Sequence, residues 1–232
     1  MRNELLLLLS VVVLYGGLLL FYYLLGRQGV LCWTVMATIA ANIEVLLVIR
    51  AFGMEQTLGN VMFASTFLAT DILSETGSKK LANRAVNIGI LSSVTFVVIS
   101  QLWLLYVPAE SDWAMPAVRT VFSNTPRVMA ASLIVYVVCQ KFDVWAYHRI
   151  WAFTNRLCGD SRRFLWLRNN AATILSQLLN TVLFTAAAFA GMYDVKTLIS
   201  IAASSFVIFL FTSLLDTPVV YLARRIKPRV TE

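Results

Sequence analysis

The sequence predicts an all-α polytopic membrane protein with seven transmembrane helices. Three observations carry that expectation. First, 59% of the 232 residues are hydrophobic and 13% are charged, against roughly 45–50% and about 25% in a soluble domain. Mean hydropathy is +0.76. Second, the apolar residues come in unbroken blocks of the length that spans a bilayer as a helix, about 20 residues. They do not alternate as in a membrane β-barrel. Third, Lys and Arg collect in every second loop, as the positive-inside rule requires. Together these exclude a soluble enzyme, a disordered tail and a disulfide-rich secreted module. The net charge of +7 reads as loop bias towards the cytoplasm, with no direct nucleic-acid partner.

The spans run roughly 5–25, 30–49, 57–75, 86–107, 127–147, 171–191 and 198–222. The first starts straight after Arg2 and Glu4. Its apolar stretch is long and no small-x-small cleavage site follows, so it reads as a span rather than a signal peptide. Phe52-Gly53 and Leu58-Gly59-Asn60 mark a very short, tight connection between spans two and three. That makes an antiparallel pair, with Asn42 and Phe63 at comparable depth. Lys79, Lys80 and Arg84 follow span three. Arg149, Arg156, Arg162, Arg163 and Arg168 follow span five, and Arg224, Arg225, Lys227 and Arg229 form a tail. The alternate loops hold Arg50, Arg119 and Lys196. The C-terminus is therefore expected in the cytoplasm and the N-terminus outside. The chain divides as an extra N-terminal transmembrane helix over 1–28, a six-helix core over 29–225 and a basic cytoplasmic tail over 226–232.

Cys32, Cys139 and Cys158 show no zinc, redox or disulfide spacing. A metal site or a Ser-His dyad would have to use His148 alone. Neither a metal nor another cofactor is expected.

Charged groups inside spans are costly, about 2.5–3.5 kcal/mol for a central Asp, and usually face the bundle interior. In span three, Gly59, Phe63, Phe67, Asp71 and Glu75 recur every four residues, so they share one helical face. Two rings above two carboxylates suit a flat heteroaromatic ligand: the rings stack on its faces and a carboxylate accepts its N–H bonds. Ordinary packing of the phenylalanines, with Glu75 at the membrane surface, is the plainer alternative. Span six carries Asn170, Thr173, Gln177, Asn180, Thr181 and Phe184 at the same spacing. Its amides either read a ligand edge or glue helices together. Span seven ends in Asp216-Thr217-Pro218 with Tyr221. Pro218 removes a backbone donor, and a broken helix beside a carboxylate is a frequent ion or substrate site in transporters. Asp143, on a face with Gln140 and Tyr147, is a further candidate for coupling or gating, or else a structural group. In span two, Asn42 is a better site candidate than Glu44, which lies on another face.

Five segments in register over about residues 29–225 resemble the queuosine precursor transporter family, also called the VUT or vitamin-uptake-transporter-like family. They are Asn42-Ile43 with Ala51-Phe52-Gly53 and Thr57-Leu58-Gly59-Asn60; Phe67 through Glu75; Phe142 through His148; Trp166-Leu167-Arg168-Asn169-Asn170 with Thr173, Ser176-Gln177 and Thr181; and Leu215-Asp216-Thr217-Pro218 with Tyr221-Leu222. The resemblance implies a bacterial inner-membrane importer with a six-helix core similar to the substrate-binding subunits of energy-coupling-factor importers. It implies action without the ATPase module. The implied substrates are queuosine precursors for tRNA modification: 7-cyano- or 7-aminomethyl-7-deazaguanine, or queuine. In that setting Asp71 or Glu75 would accept N1–H and the exocyclic amine, Gln177 and Asn42 would meet O6 or N3, and Phe63 or Phe67 would stack.

The sequence departs from the family pattern in three places inside the membrane. Leu47 and Phe209 stand where Lys is common, and Asn180 where Asp is usual. Thr76-Gly77 also follows Glu75 in place of Tyr-Gly. Three functions compete: a stand-alone transporter, a binding subunit that needs a separate ATPase, and an intramembrane enzyme. The transporter leads. Ala186-Ala187-Ala188 and Ala202-Ala203-Ser204 would suit docking on the coupling helix of such an ATPase module, but alanine is common in membrane helices. An enzyme would need a nucleophile with its base, or an acidic metal motif.

Overall fold

The computed structural model describes residues 2–123, 126–159, 164–189, 191 and 194–230. Arg162 and Arg163, read above as loop charges, lie outside the described residues. So does the side chain of Cys158. The described elements are α1 (Arg2–Glu44), β1 (Val48–Ala51), β2 (Met54–Thr57), α2 (Gly59–Thr76), α3 (Lys79–Trp103), α4 (Met115–Ser123), α5 (Pro126–Cys158), α6 (Leu165–Phe189) and α7 (Val195–Arg225).

The first two predicted spans are the two arms of α1. At Gly26 the backbone turns to φ 60°, ψ −144°, which a residue without a Cβ adopts at little cost. The chain reverses there. Trp33 packs edge-on to Phe21 at 5.6 Å between ring centroids, and Asn3 Nδ2 donates to the Arg50 carbonyl at 2.8 Å. Both pairs lie about symmetrically around position 26, so the arms run antiparallel.

The expected tight connection after span two is a β-hairpin. Helix gives way after Glu44, and β1 pairs antiparallel with β2 in the register Val48–Thr57, Ile49–Gln56, Arg50–Glu55 and Ala51–Met54. The run Val45 to Ile49 continues the apolar block, so hydropathy alone reads it as more helix. Phe52 and Gly53 both have positive φ, 52° and 74°, as a two-residue hairpin turn requires. The strained Phe52 is pinned from outside: Glu4 Oε1 accepts its backbone N–H at 3.1 Å. Strand alternation buries Gln56 and Ala51 and leaves Arg50 exposed.

Other boundaries shift for local reasons. Helix α3 starts at Lys79 rather than 86 because Ser78 caps it, accepting from the Leu81 N–H at 3.2 Å. Asp194 caps α7 by accepting from the Thr197 hydroxyl and from the Thr197 and Lys196 N–H groups, and these bonds, the hydroxyl's foremost, hold its carboxyl below the usual carboxylate range. Helix α5 continues past 147 to Cys158, and the short α4 is an addition to the expected elements.

Helix α2 is the hub. It packs against α1, α3, α5 and α7, while α5–α6 and α6–α7 contacts close the ring. All of its residues are buried except Phe63, Glu75 and Thr76, which are half-buried, and of Glu75 the side chain itself is only 3% exposed. The N-terminus and the β-hairpin share one end of the bundle. At the other end Arg27 Nε donates to the Thr76 carbonyl at 3.1 Å, and the Arg229 N–H donates to the Tyr23 carbonyl at 2.8 Å. Lys79, Lys80 and the C-terminal basic residues lie at this basic end.

Helices α1, α3, α6 and α7 are each long and apolar enough to cross a membrane. The chain is an all-α, multi-pass membrane protein. The α1 reversal depends on close packing at Gly29, where an added Cβ would overlap the Phe21 carbonyl. We expect Gly29→Ala to destabilise the fold by roughly 1–3 kcal/mol through overpacking, seen as a lower melting temperature in detergent. An unchanged melting temperature would show that the arms separate freely.

Candidate functional site

The polar residues of the interior form layers along α2, from the hairpin end to the basic end. The outermost layer is a cavity of about 210 Å³ under the β-hairpin. Its walls include Asn42 from α1, Gln56 from β2, Asn60 and Phe63 from α2, Tyr136 from α5, Asn180 from α6 and Phe209 from α7. Three of the expected site residues, Asn42, Phe63 and Asn180, therefore meet at one surface. Asn42 uses both amide donors inside the protein, on the Thr38 carbonyl at 2.7 Å and the Ser93 hydroxyl at 3.2 Å. That leaves its oxygen as the group to offer a ligand. Phe63 sits in an aromatic cluster with Phe67, Tyr136 and Phe209, at centroid distances of 5.3, 5.9 and 6.2 Å.

Phe67 lies one turn deeper, packed with Val135 and Cys139. Below it is a second layer of buried polar groups. Thr66 and Thr70 of α2 bond Gln140 of α5, with Gln140 Nε2 donating to Thr66 Oγ1 at 2.6 Å. Asp71 accepts from the Thr173 hydroxyl at 3.2 Å, and Asp143 accepts from the Ser176 hydroxyl at 2.7 Å. Asp216 on α7 completes the layer. All three carboxyls lie on helices that meet in the bundle interior. Each is essentially inaccessible to solvent. One oxygen of Asp143, both oxygens of Asp216 and both amide atoms of Gln177 have no hydrogen bond among the described residues. Asp71 is two helical turns past Phe63, a rise of about 12 Å. It and Gln177 are not among the lining residues of the cavity.

The third layer closes the basic end. Glu75 accepts from Arg168 Nη2 at 2.7 and 2.8 Å, from Arg168 Nε at 3.2 Å and from the Tyr147 hydroxyl at 2.8 Å. Arg224 approaches it at 3.3 Å. Arg168 also lies over the Trp151 ring at 4.3 Å from its centroid. One carboxylate thus ties the central helix to α5, α6 and α7. Arg168 is not a loop charge, as its place after span five suggested: it is fully buried on α6. It stands two turns before Ser176 on the same helical face, and that spacing was the available signal. His148 sits beside this layer, 3.2 Å from the Ser74 hydroxyl and stacked on Trp151.

The expected break in span seven is absent. Helix α7 runs through Pro218 to Arg225. The Thr217 hydroxyl accepts from the Asn169 and Asn170 amides at 3.2 and 2.6 Å. Cross-helix bonds of this kind let a membrane helix keep a proline without opening.

A helical membrane bundle with a solute-sized cavity above buried ionisable groups has the build of a transporter. A sequence profile of the family described as "Putative vitamin uptake transporter" matches residues 57–223. The chain belongs to this family, that of the queuosine precursor transporters. It is 37% identical over 203 residues to the "Probable queuosine precursor transporter" of Bacillus subtilis (strain 168), covering 88% of this chain and 86% of that protein. No solved structure matches the chain.

Removing one partner of a buried ion pair strands the other. Glu75→Ala is therefore expected to cost about 3–5 kcal/mol, measured as a drop in detergent melting temperature. Adding Arg168→Met to that variant should recover most of the loss. A single variant as stable as the parent would show that the pair contributes nothing to the fold.

Proposed function

We propose that the protein is an inner-membrane transporter that imports queuosine precursors for tRNA modification by alternating access. The candidate substrates are 7-cyano- or 7-aminomethyl-7-deazaguanine and queuine. The carrying observation is the cavity under the hairpin, where amide groups and an aromatic cluster meet in a space suited to one bicyclic base. Ligand pockets for larger, drug-sized molecules occupy roughly 300–1,000 Å³. The family and the name of the Bacillus subtilis relative support the same substrate class.

In this reading the seven apolar segments, counting both arms of α1, are seven spans, with the N-terminus outside and the C-terminus in the cytoplasm. Residues 1–28 are an added helix on a 29–225 core resembling energy-coupling-factor binding subunits, and 226–232 form the tail. The hairpin end faces outward. Substrate binds first between Asn42, Phe63 and Asn180, with the base against the Phe63 ring. It then moves past Phe67 towards Asp71 and Gln177 as the Glu75 layer opens. Asp143 and Asp216 hold the exchangeable proton or cation that couples the step, and Pro218 supplies the compliant point in α7. The chain works without an ATPase module, alone or as a homo-oligomer.

The test is complementation. The chain is expressed in bacteria lacking both queuosine synthesis and their own precursor transporter. Each base is fed at low concentration, and queuosine in tRNA is read by mobility shift on a boronate gel. A shift with at least one base supports the proposal; none, for a protein shown to be in the membrane, overturns it. Loss of a stacking ring costs roughly 1–3 kcal/mol, so Phe63→Ala should weaken binding about tenfold. Asp216→Asn should bind substrate yet fail to accumulate it. Normal accumulation by that variant would remove Asp216 from coupling.

A further inference from the structure

The cavity wall carries more recognition chemistry than the sequence suggested. Gln56, Asn60 and Tyr136 line it, and they are 4%, 8% and 4% exposed. Both amide atoms of Gln56, the Asn60 Nδ2 and the Tyr136 hydroxyl are buried and make no hydrogen bond within the described protein. Asn60 uses only its oxygen, which accepts from the Thr57 hydroxyl at 3.1 Å. Buried polar groups are normally paired. Here four such atoms belong to three residues, from three elements, that line one cavity. The wall also has a second property: no Asp, Glu, Lys, Arg or His is among the described lining residues. The nearest carboxyl along α2, Asp71, belongs to the layer below.

We propose that Gln56, on the β-hairpin, is the specificity-determining residue of the cavity, and that with Asn60 and Tyr136 it selects an uncharged planar heterocycle over a cationic one. The proposal rests on the reading of the cavity as the substrate site. The Gln56 amide places a donor beside an acceptor, which matches the adjacent acceptor and donor of a lactam edge in a two-point pair. Asn60 adds a donor and Tyr136 a hydroxyl that serves either way. An ammonium group entering the same space would lose its water and meet only neutral dipoles. The desolvation of a charge is returned only by an opposite charge or a full set of acceptors. The wall thus accepts the ring system and penalises a positively charged substituent on it.

A matched pair of ligands tests this directly. 7-Cyano-7-deazaguanine is uncharged at neutral pH, whereas 7-aminomethyl-7-deazaguanine carries an ammonium on the same ring. Their equilibrium affinities are measured on the purified full chain in lipid nanodiscs. The uncharged base should bind at least about tenfold tighter, the ratio set by a modest part of an ammonium's desolvation. Gln56→Leu should weaken the uncharged base about tenfold at an unchanged melting temperature. Gln56→Glu should shift the ratio towards the cation by placing a carboxylate in the wall. Equal affinities in the parent, a preference for the cation, or a Gln56→Leu variant with parental binding would each overturn the proposal. Equal binding and uptake of both bases would leave the transporter reading intact while removing this selectivity. Failure of a folded protein to bind either base would remove the reading of the cavity as the site for these bases, and this inference with it.

Discussion

One buried carboxylate organises the basic end of the molecule. Glu75 stands at the end of the central helix and holds Tyr147 of α5, Arg168 of α6 and Arg224 of α7 at once. A charge away from water is tolerable only when it is paired and its remaining acceptor sites are filled, and these partners do both. The consequence is geometric. Three outer helices are fixed against α2 at one depth, and everything closer to the hairpin inherits that register. Thr173 then reaches Asp71, Ser176 reaches Asp143, and Asn180 arrives at the cavity, all from successive turns of α6.

The position of α2 follows from the same energetics. Its polar residues point in several directions: Thr66 and Thr70 towards α5, Ser65 towards Trp33 of α1, and Ser74 towards His148. Such a helix cannot face lipid on any side, because each unpaired polar group in hydrocarbon costs several kcal/mol. The ring of more apolar helices around it is the solution. Helices α2 and α5 lie outside the set that meets the length and hydropathy of a span. They are also the pair that shares the Gln140 bonds. The central helix α2 therefore builds the interior, α5 turns its polar face towards it, and the more apolar helices complete the ring.

Much of this was legible in the sequence. Apolar blocks gave the long helices, and the four-residue stripe on α2 and the polar face on α6 gave the interior. Asn180 and Phe209, noted as departures from the family pattern, both line the cavity. Other parts were not legible. The hairpin was hidden because Val45 to Ile49 extends an apolar block without a change of period. Gln56 consequently read as part of a connection rather than as a wall. Tyr136 lies within an apolar run, where an aromatic residue signals packing as readily as contact. Arg168 directly precedes a polar pair at the start of a span, so it resembled a flanking loop charge. Only the depth of Glu75, set by tertiary packing, explains why an arginine is needed there. The carboxylates were recognised as interior groups, but a stripe along one helix does not reveal which turns border a cavity and which lie beneath it.

The N-terminal arm of α1 bears on how such a bundle works. The family match begins at residue 57, yet Leu7, Val11, Tyr15, Leu18 and Tyr22 belong to the same buried cluster as Leu68, Ile72 and Val220. The Tyr15 hydroxyl is buried in that cluster and makes no hydrogen bond among the described residues. The tight reversal at Gly26 couples this arm to the C-terminal tail as well, through the Tyr23 carbonyl and ring beneath Arg229. The first arm is thus packed into the same buried cluster as α2 and α7 and is held to the tail at its far end.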